Sequence, residues 1–252
     1  MYKIGIYITL TALLVTGCAT NKIRLNKNYG EIRESGNETI KKVVSKNLTA
    51  TGFFLQKCRI TSISSGSRII LYFTMKYNTA GDYLISLKSR TGTEAFRVFI
   101  SKDTILINDR INKELLYGKP NDFERISGLP AEMLKISVGD LFVNKPVIEN
   151  TEDQGSEIKV SDYYEGLIIQ SVIDKTIEKA NSVIIKSGSP DNYLRIIYSK
   201  HREDTYSIPG KIEIYDGLKS IKIYIEIVKY TAPWMGDFEF VPGEGYSKKL
   251  LK

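Results

Sequence analysis

The 252 residues are 42% hydrophobic and 26% charged, with 36 Lys and Arg against 29 Asp and Glu for a formal charge of +7. That balance excludes a disordered tail, a collagen-like chain and a polytopic membrane protein. A single histidine, His201, excludes a site that needs two, and two cysteines exclude a disulfide scaffold or a Cys-rich zinc site.

Residues 1–3 form a short positive start and 4–15 a twelve-residue, mostly apolar run. As a helix that run rises only about 18 Å, against about 30 Å of hydrocarbon core, so residues 1–17 read as a signal peptide. Leu14-Val15-Thr16-Gly17-Cys18 resembles the lipobox of bacterial lipoproteins. The resemblance implies cleavage before Cys18 and acylation of that residue, each buried CH₂ contributing about 0.8 kcal/mol to the membrane anchor. Residues 19–26 contain no acid, neither an aspartate retaining the protein at the inner membrane nor an acidic surface-export run. The expected location is therefore the outer membrane, lipid-anchored in the inner leaflet and facing the periplasm. Residues 18–36 read as a polar tether, and 37–252 as a single domain in which Cys58 is a small strand residue.

Asn37 is placed to cap a short helix with Ile40, Val43 and Val44 on one face. Strands are expected at 53–63, 67–77, 83–88, 94–100, 104–108 and 114–117, parted by Gly-, Asn- and Asp-containing turns. Their three- to five-residue connections imply antiparallel neighbours. Asn121 with Glu124 forms a possible capping box for an insert helix. Gly128-Leu129-Pro130 breaks that helix, and a second runs to about Val138 with Gly139 as its stop. The apolar pair is either two core helices or a lid over a cavity. Residues 144–155 read as a polar loop, and strands resume at 163–174, 176–186, 193–200, 211–215 and 221–230. The pattern predicts a mainly β fold of ten or eleven strands. It is a single curved antiparallel sheet forming a partly open β-barrel with a short helical lid insert.

The order of elements and several strings are similar to the LolA/LolB fold of periplasmic lipoprotein carriers and outer-membrane lipoprotein receptors. The strings are 68–76 with the 78–82 turn and 83–88, Arg90-Thr91-Gly92-Thr93-Glu94, Gly128-Leu129-Pro130, and 209–229 around Asp216-Gly217. Phe238-Glu239-Phe240-Val241-Pro242 with Gly245-Tyr246 also resembles the endings of a group of lipoproteins of Bacteroidota related to this fold. The resemblance implies a LolB-like receptor. Such a receptor takes an acylated lipoprotein from a LolA-like periplasmic carrier, shelters the acyl chains of lipoprotein or phospholipid in an apolar cavity and releases them into the outer membrane. It works as a monomer, with no cofactor and no nucleic acid. The receptors carry an exposed apolar residue in the loop that here holds Arg90 and Thr91, a departure that makes this loop a candidate membrane or partner contact of different character.

Leu71, Phe73, Ile126, Met133 and Leu134 are the candidate wall and lid residues, open to the alternative that they are plain core. His201 lies in a charged run read as a solvated loop between strands. Glu152-Asp153 and Glu203-Asp204 read as solvated acids, and no Gly-x-Ser-x-Gly elbow occurs, so an enzyme is not expected. Lys248, Lys249 and Lys252 read as a frayed tail. The alternative function is a non-catalytic accessory envelope lipoprotein binding a protein or peptidoglycan partner.

Overall fold

Alternation decides the architecture: in 71–76 Leu71, Phe73 and Met75 are buried while Tyr72, Thr74 and Lys76 are not, the signature of a sheet with one covered face. The computed structural model describes residues 34–144, 150–188, 192–203, 205–206, 208–218 and 220–251. The signal segment 1–17, Cys18, the tether as far as residue 33 and Lys252 lie outside the described residues.

Among the described residues, fourteen strands take the order β14-β6-β5-β4-β3-β2-β1-β13-β12-β11-β10-β9-β8-β7, with two ends, so this sheet does not close on itself. They are β1 Phe53–Ser64, β2 Ser67–Tyr77, β3 Tyr83–Lys88, β4 Glu94–Ile100, β5 Ile105–Asp109, β6 Glu114–Gly118 and β7 Asn150–Gln154. The remainder are β8 Glu157–Tyr164, β9 Leu167–Asp174, β10 Lys179–Lys186, β11 Tyr193–His201, β12 Pro209–Asp216, β13 Ile221–Thr231 and β14 Ser247–Leu250. Helix α1 is Glu34–Ser45, α2 is Pro120–Ser127, and Leu48–Ala50 and Ala131–Val138 are 3-10 stretches. The expected fold class, mainly β with one antiparallel sheet and a short helical insert, is the one observed. The β14–β6 pair, which is parallel, departs from it.

The described chain packs as two units, one built from Thr51–Leu134 and Ile223–Lys252, the other from the residues up to Ala50 and Lys135–Lys222. In the first, cross-strand rows Phe73–Leu87–Phe96 and Met75–Ile85–Val98–Ile107 share one face. A shift of register between Leu55 and Cys58 changes the phase of β1, so that Phe53 and Leu55 before it and Cys58 and Ile60 after it are all buried. In the second unit, α1 sets Ile40 and Val43 against Leu141, Ile158, Val160 and Ile173.

Several elements differ from expectation for local reasons. Helix α1 begins at Glu34, so Asn37 lies inside it. The insert helix is capped two residues earlier than expected, with Pro120 at its first turn and the Lys119 N–H donating to Asp122 Oδ2 at 2.8 Å. Its stop is as expected, Gly128 at φ 73° donating to the Glu124 carbonyl. The second insert helix is of 3-10 type and ends at Gly139, φ +92°. The single strand expected at 163–174 is two, folded back at Glu165-Gly166, where both residues take positive φ as a tight hairpin requires. Asp174 accepts the N–H of Thr176 at 2.7 Å, bending the chain so that β10 starts at Lys179 rather than Thr176. The expected polar loop contains β7, and the tail expected to fray contains β14, just after which the Leu251 N–H donates to the Tyr117 carbonyl at 2.9 Å.

Candidate functional site

In the first unit an apolar face crosses β1 to β5. Phe73 is 6% exposed, Leu71 7% and Met75 6%, and Leu87, Phe96, Val98, Ile100, Ile105 and Ile107 are buried on the neighbouring strands. Rings extend it at one end, where Phe53 stacks on Tyr77 at 5.4 Å and Tyr77 meets Tyr83 at 4.6 Å. Such a face offers dispersion contacts and no charge, so it suits hydrocarbon.

Leu71 and Phe73 lie two residues apart on this one face of β2. Met133 is buried in the 3-10 stretch, while Ile126 on α2 and Leu134 are half-buried. Arg90 and Thr91 form the exposed β3–β4 turn. There the Ser89 N–H donates to the Thr93 carbonyl at 2.8 Å, and the Ser89 and Thr91 hydroxyls lie 2.8 Å apart. The turn is polar throughout. Cys18 lies outside the described residues, and Cys58 is buried in β1.

The opposite face of the same unit has two features that sequence reasoning missed. Glu94 accepts from Ser86 Oγ at 2.5 Å and Arg97 Nη2 at 2.9 Å, and its other oxygen meets Arg110 Nε at 2.7 Å. Burial works to raise its carboxyl pKa, but these three partners outweigh it and the net shift is downward. Beside this group the chain after β13 runs as a strap. Trp234 stacks on Phe238 at 6.0 Å, Phe238 and Phe240 both meet Phe99, and Asn108 Nδ2 donates to the Val241 carbonyl at 2.9 Å. The Pro/Gly-rich run of aromatics at 232–246 is the sequence signal that marks it.

The second unit holds a buried polar node. Asp140 accepts the N–H of Leu48 at 2.7 Å, the N–H of Thr49 at 2.9 Å and the Thr49 hydroxyl at 2.7 Å. Burial nonetheless pushes its carboxyl above the ordinary value. Asn47 and Leu141 exchange two bonds, 2.9 and 3.0 Å, and Tyr198 donates to the Ile136 carbonyl at 2.7 Å. His201 is not in a solvated loop: it is the last residue of β11, opposite Pro209, and half-buried. Burial, aided by Lys179, lowers its pKa. Among the described residues, no three His, Cys, Asp or Glu side chains are grouped to hold a metal ion.

No protein-family model and no curated protein matches the sequence. The fold does have solved relatives. A LolA superfamily protein from Nitrosomonas europaea superposes with a TM-score of 0.55 at 8% identity, over 80% of this chain and 94% of that one. An outer membrane lipoprotein-sorting protein domain from Vibrio parahaemolyticus gives 0.52 at 8%, over 79% and 92%. A DUF1329 family protein from Desulfovibrio piger gives 0.51 at 8%, over 79% and 91%. The chain thus has the fold seen in LolA superfamily proteins.

Proposed function

We propose that this chain is an outer-membrane lipoprotein, anchored through Cys18 and facing the periplasm, that shelters acyl chains of lipoproteins or phospholipids as a non-catalytic, LolB-like receptor in lipoprotein localisation. The observation that carries the reading is the apolar face across β1 to β5, in a fold like that of a lipoprotein-sorting domain. The driving force is burial of acyl surface, about 25 cal/mol per Å². Transfer needs only that the face hold the chain slightly better than the donor carrier does. Leu71 and Phe73 would form the wall, and Ile126, Met133 and Leu134 the cover, parting to admit a chain.

The test is native mass spectrometry of the lipidated protein with an acylated lipoprotein and with free phospholipid, together with depletion in cells. A one-to-one, acyl-dependent complex and lipoproteins stranded on the LolA-like carrier are the expected results. Normal sorting after depletion would sink the receptor role. A second reading, an accessory lipoprotein binding a protein or peptidoglycan, is favoured by one feature: the Ser89–Thr93 turn is polar, with its hydroxyls bonded to each other. Crosslinking from Thr91 would then trap a stable envelope partner in place of a transient carrier.

A further inference from the structure

The strap after β13 puts one large apolar side chain almost wholly into solvent. Met235 is 94% exposed, and its neighbours explain why it cannot turn inward. The Trp234 N–H donates to the Gly52 carbonyl at 3.0 Å, and a Cβ on Gly52 would lie 2.6 Å from the Trp234 carbonyl oxygen, so the two backbones touch. The Trp234 ring folds back under Gly236, where a Cβ would come within 2.6 Å of Cζ2. The ring then stacks on Phe238 and meets Phe54 at 5.8 Å. With its indole spent on this stack, the turn presents Met235 at the apex. Lys76 lies over both rings, 5.4 Å from that of Trp234 and 5.1 Å from that of Phe54.

We propose that the turn at residues 234–236 is a membrane-contact wedge, inserting Met235 into the interface of the bilayer that carries the lipid anchor. The proposal rests on the anchored-lipoprotein reading above. A bilayer interface fits the chemistry. An apolar tip enters the acyl boundary, an indole sits behind it at headgroup depth, and the Lys76 ammonium over the two rings supplies a positive charge at that depth. Exposed Asp237 and Glu239 follow on the same strap and offset much of the local lysine charge, so the apolar tip carries the binding. The anchor proposed above makes docking an intramolecular event at high effective concentration.

Trp234 is the only tryptophan, so its emission reports on this turn alone. The lipidated full chain is reconstituted into vesicles of phosphatidylethanolamine and phosphatidylglycerol, with and without brominated acyl chains. Brominated lipid is expected to quench Trp234, and Met235→Asp to lower the ratio of docked to undocked protein at least about tenfold, with circular dichroism unchanged. Equal emission in the two vesicles overturns the proposal. So does quenching that Met235→Asp leaves intact, since lipid then reaches the ring by entering the fold. Acyl capture is read separately, from lipids that copurify. In the wild-type chain, capture without quenching sinks the wedge alone, and quenching without capture sinks the receptor reading alone.

Discussion

The buried carboxylate of Asp140 receives the backbone N–H of Leu48, a residue 92 positions earlier, at 2.7 Å, and with Thr49 it ties the chain leaving α1 to the end of the helical insert. Asp140→Ala leaves the buried Leu48 N–H and the part-buried Thr49 N–H without this acceptor and is expected to cost about 3 kcal/mol in urea unfolding. The pH dependence has a definite sign. Burial raises the folded-state pKa, so the folded form binds more protons, and stability from this group is fully present below the ordinary carboxylate value and lost as pH rises through the raised one. The advantage of wild type over Asp140→Ala is therefore largest in acid. An advantage that grows towards neutrality contradicts this assignment.

Glu94 behaves oppositely. Its pKa is lowered because Ser86, Arg97 and Arg110 together outweigh burial, so its contribution exists above the ordinary glutamate value and disappears as pH falls through the lowered one. Glu94→Gln is expected to destabilise by about 1 kcal/mol at neutral pH. The two denaturation curves should merge in acid. Curves that stay apart at low pH would mean that the side chain acts by packing.

Gly52→Ala combines a backbone held at φ +68° with a Cβ 2.6 Å from the Trp234 carbonyl. A loss of about 2 kcal/mol is expected. Trp234 emission should move to the red as the strap lifts. Unchanged emission would show that the strap holds without the Gly52 contact.

Phe73 and Leu134 separate wall from cover. Phe73→Ala is expected to cost about 4 kcal/mol as a core truncation, whatever the ligand. Half-buried Leu134 tolerates Leu134→Glu in the folded state, and that variant is expected to lose copurifying lipid at an unchanged melting temperature. Simple unfolding of Leu134→Glu would make the 3-10 stretch core rather than cover.

What was legible in the sequence was whatever periodicity encodes. Alternation in 67–77 gave β2 its bounds and put Leu71 and Phe73 on one face, and the Ser65-Gly66 pair, both at positive φ, marked the hairpin before it. Glu165-Gly166 makes the same backbone turn, but with apolar residues on both sides and no Asn or Asp it read as strand. β7 and β14 were missed because they are short and polar. The residues of β14 are all exposed, so partner strands create these elements by hydrogen bonding and no buried stripe announces them. The Arg90–Thr91 turn was plain from Thr91-Gly92. The Asp140 node was not, since nothing local to Gly139-Asp140 points to Leu48. The Met235 apex depends on Gly52 leaving room for the Trp234 carbonyl and Gly236 for its ring, which no single-segment pattern records.

One consequence follows from the neighbours of β1. β1, the first strand among the described residues, lies between β2 and β13 in the sheet, and Arg59 of β1 grips both carboxylate oxygens of Glu226 at 2.7 Å, 167 residues later. A nascent chain therefore has one side of β1 without its partner until residues 221–231 have been made. Long-range pairing of this kind slows folding. The centre of the sheet therefore locks late, because β1 cannot complete its pairing before β13 arrives.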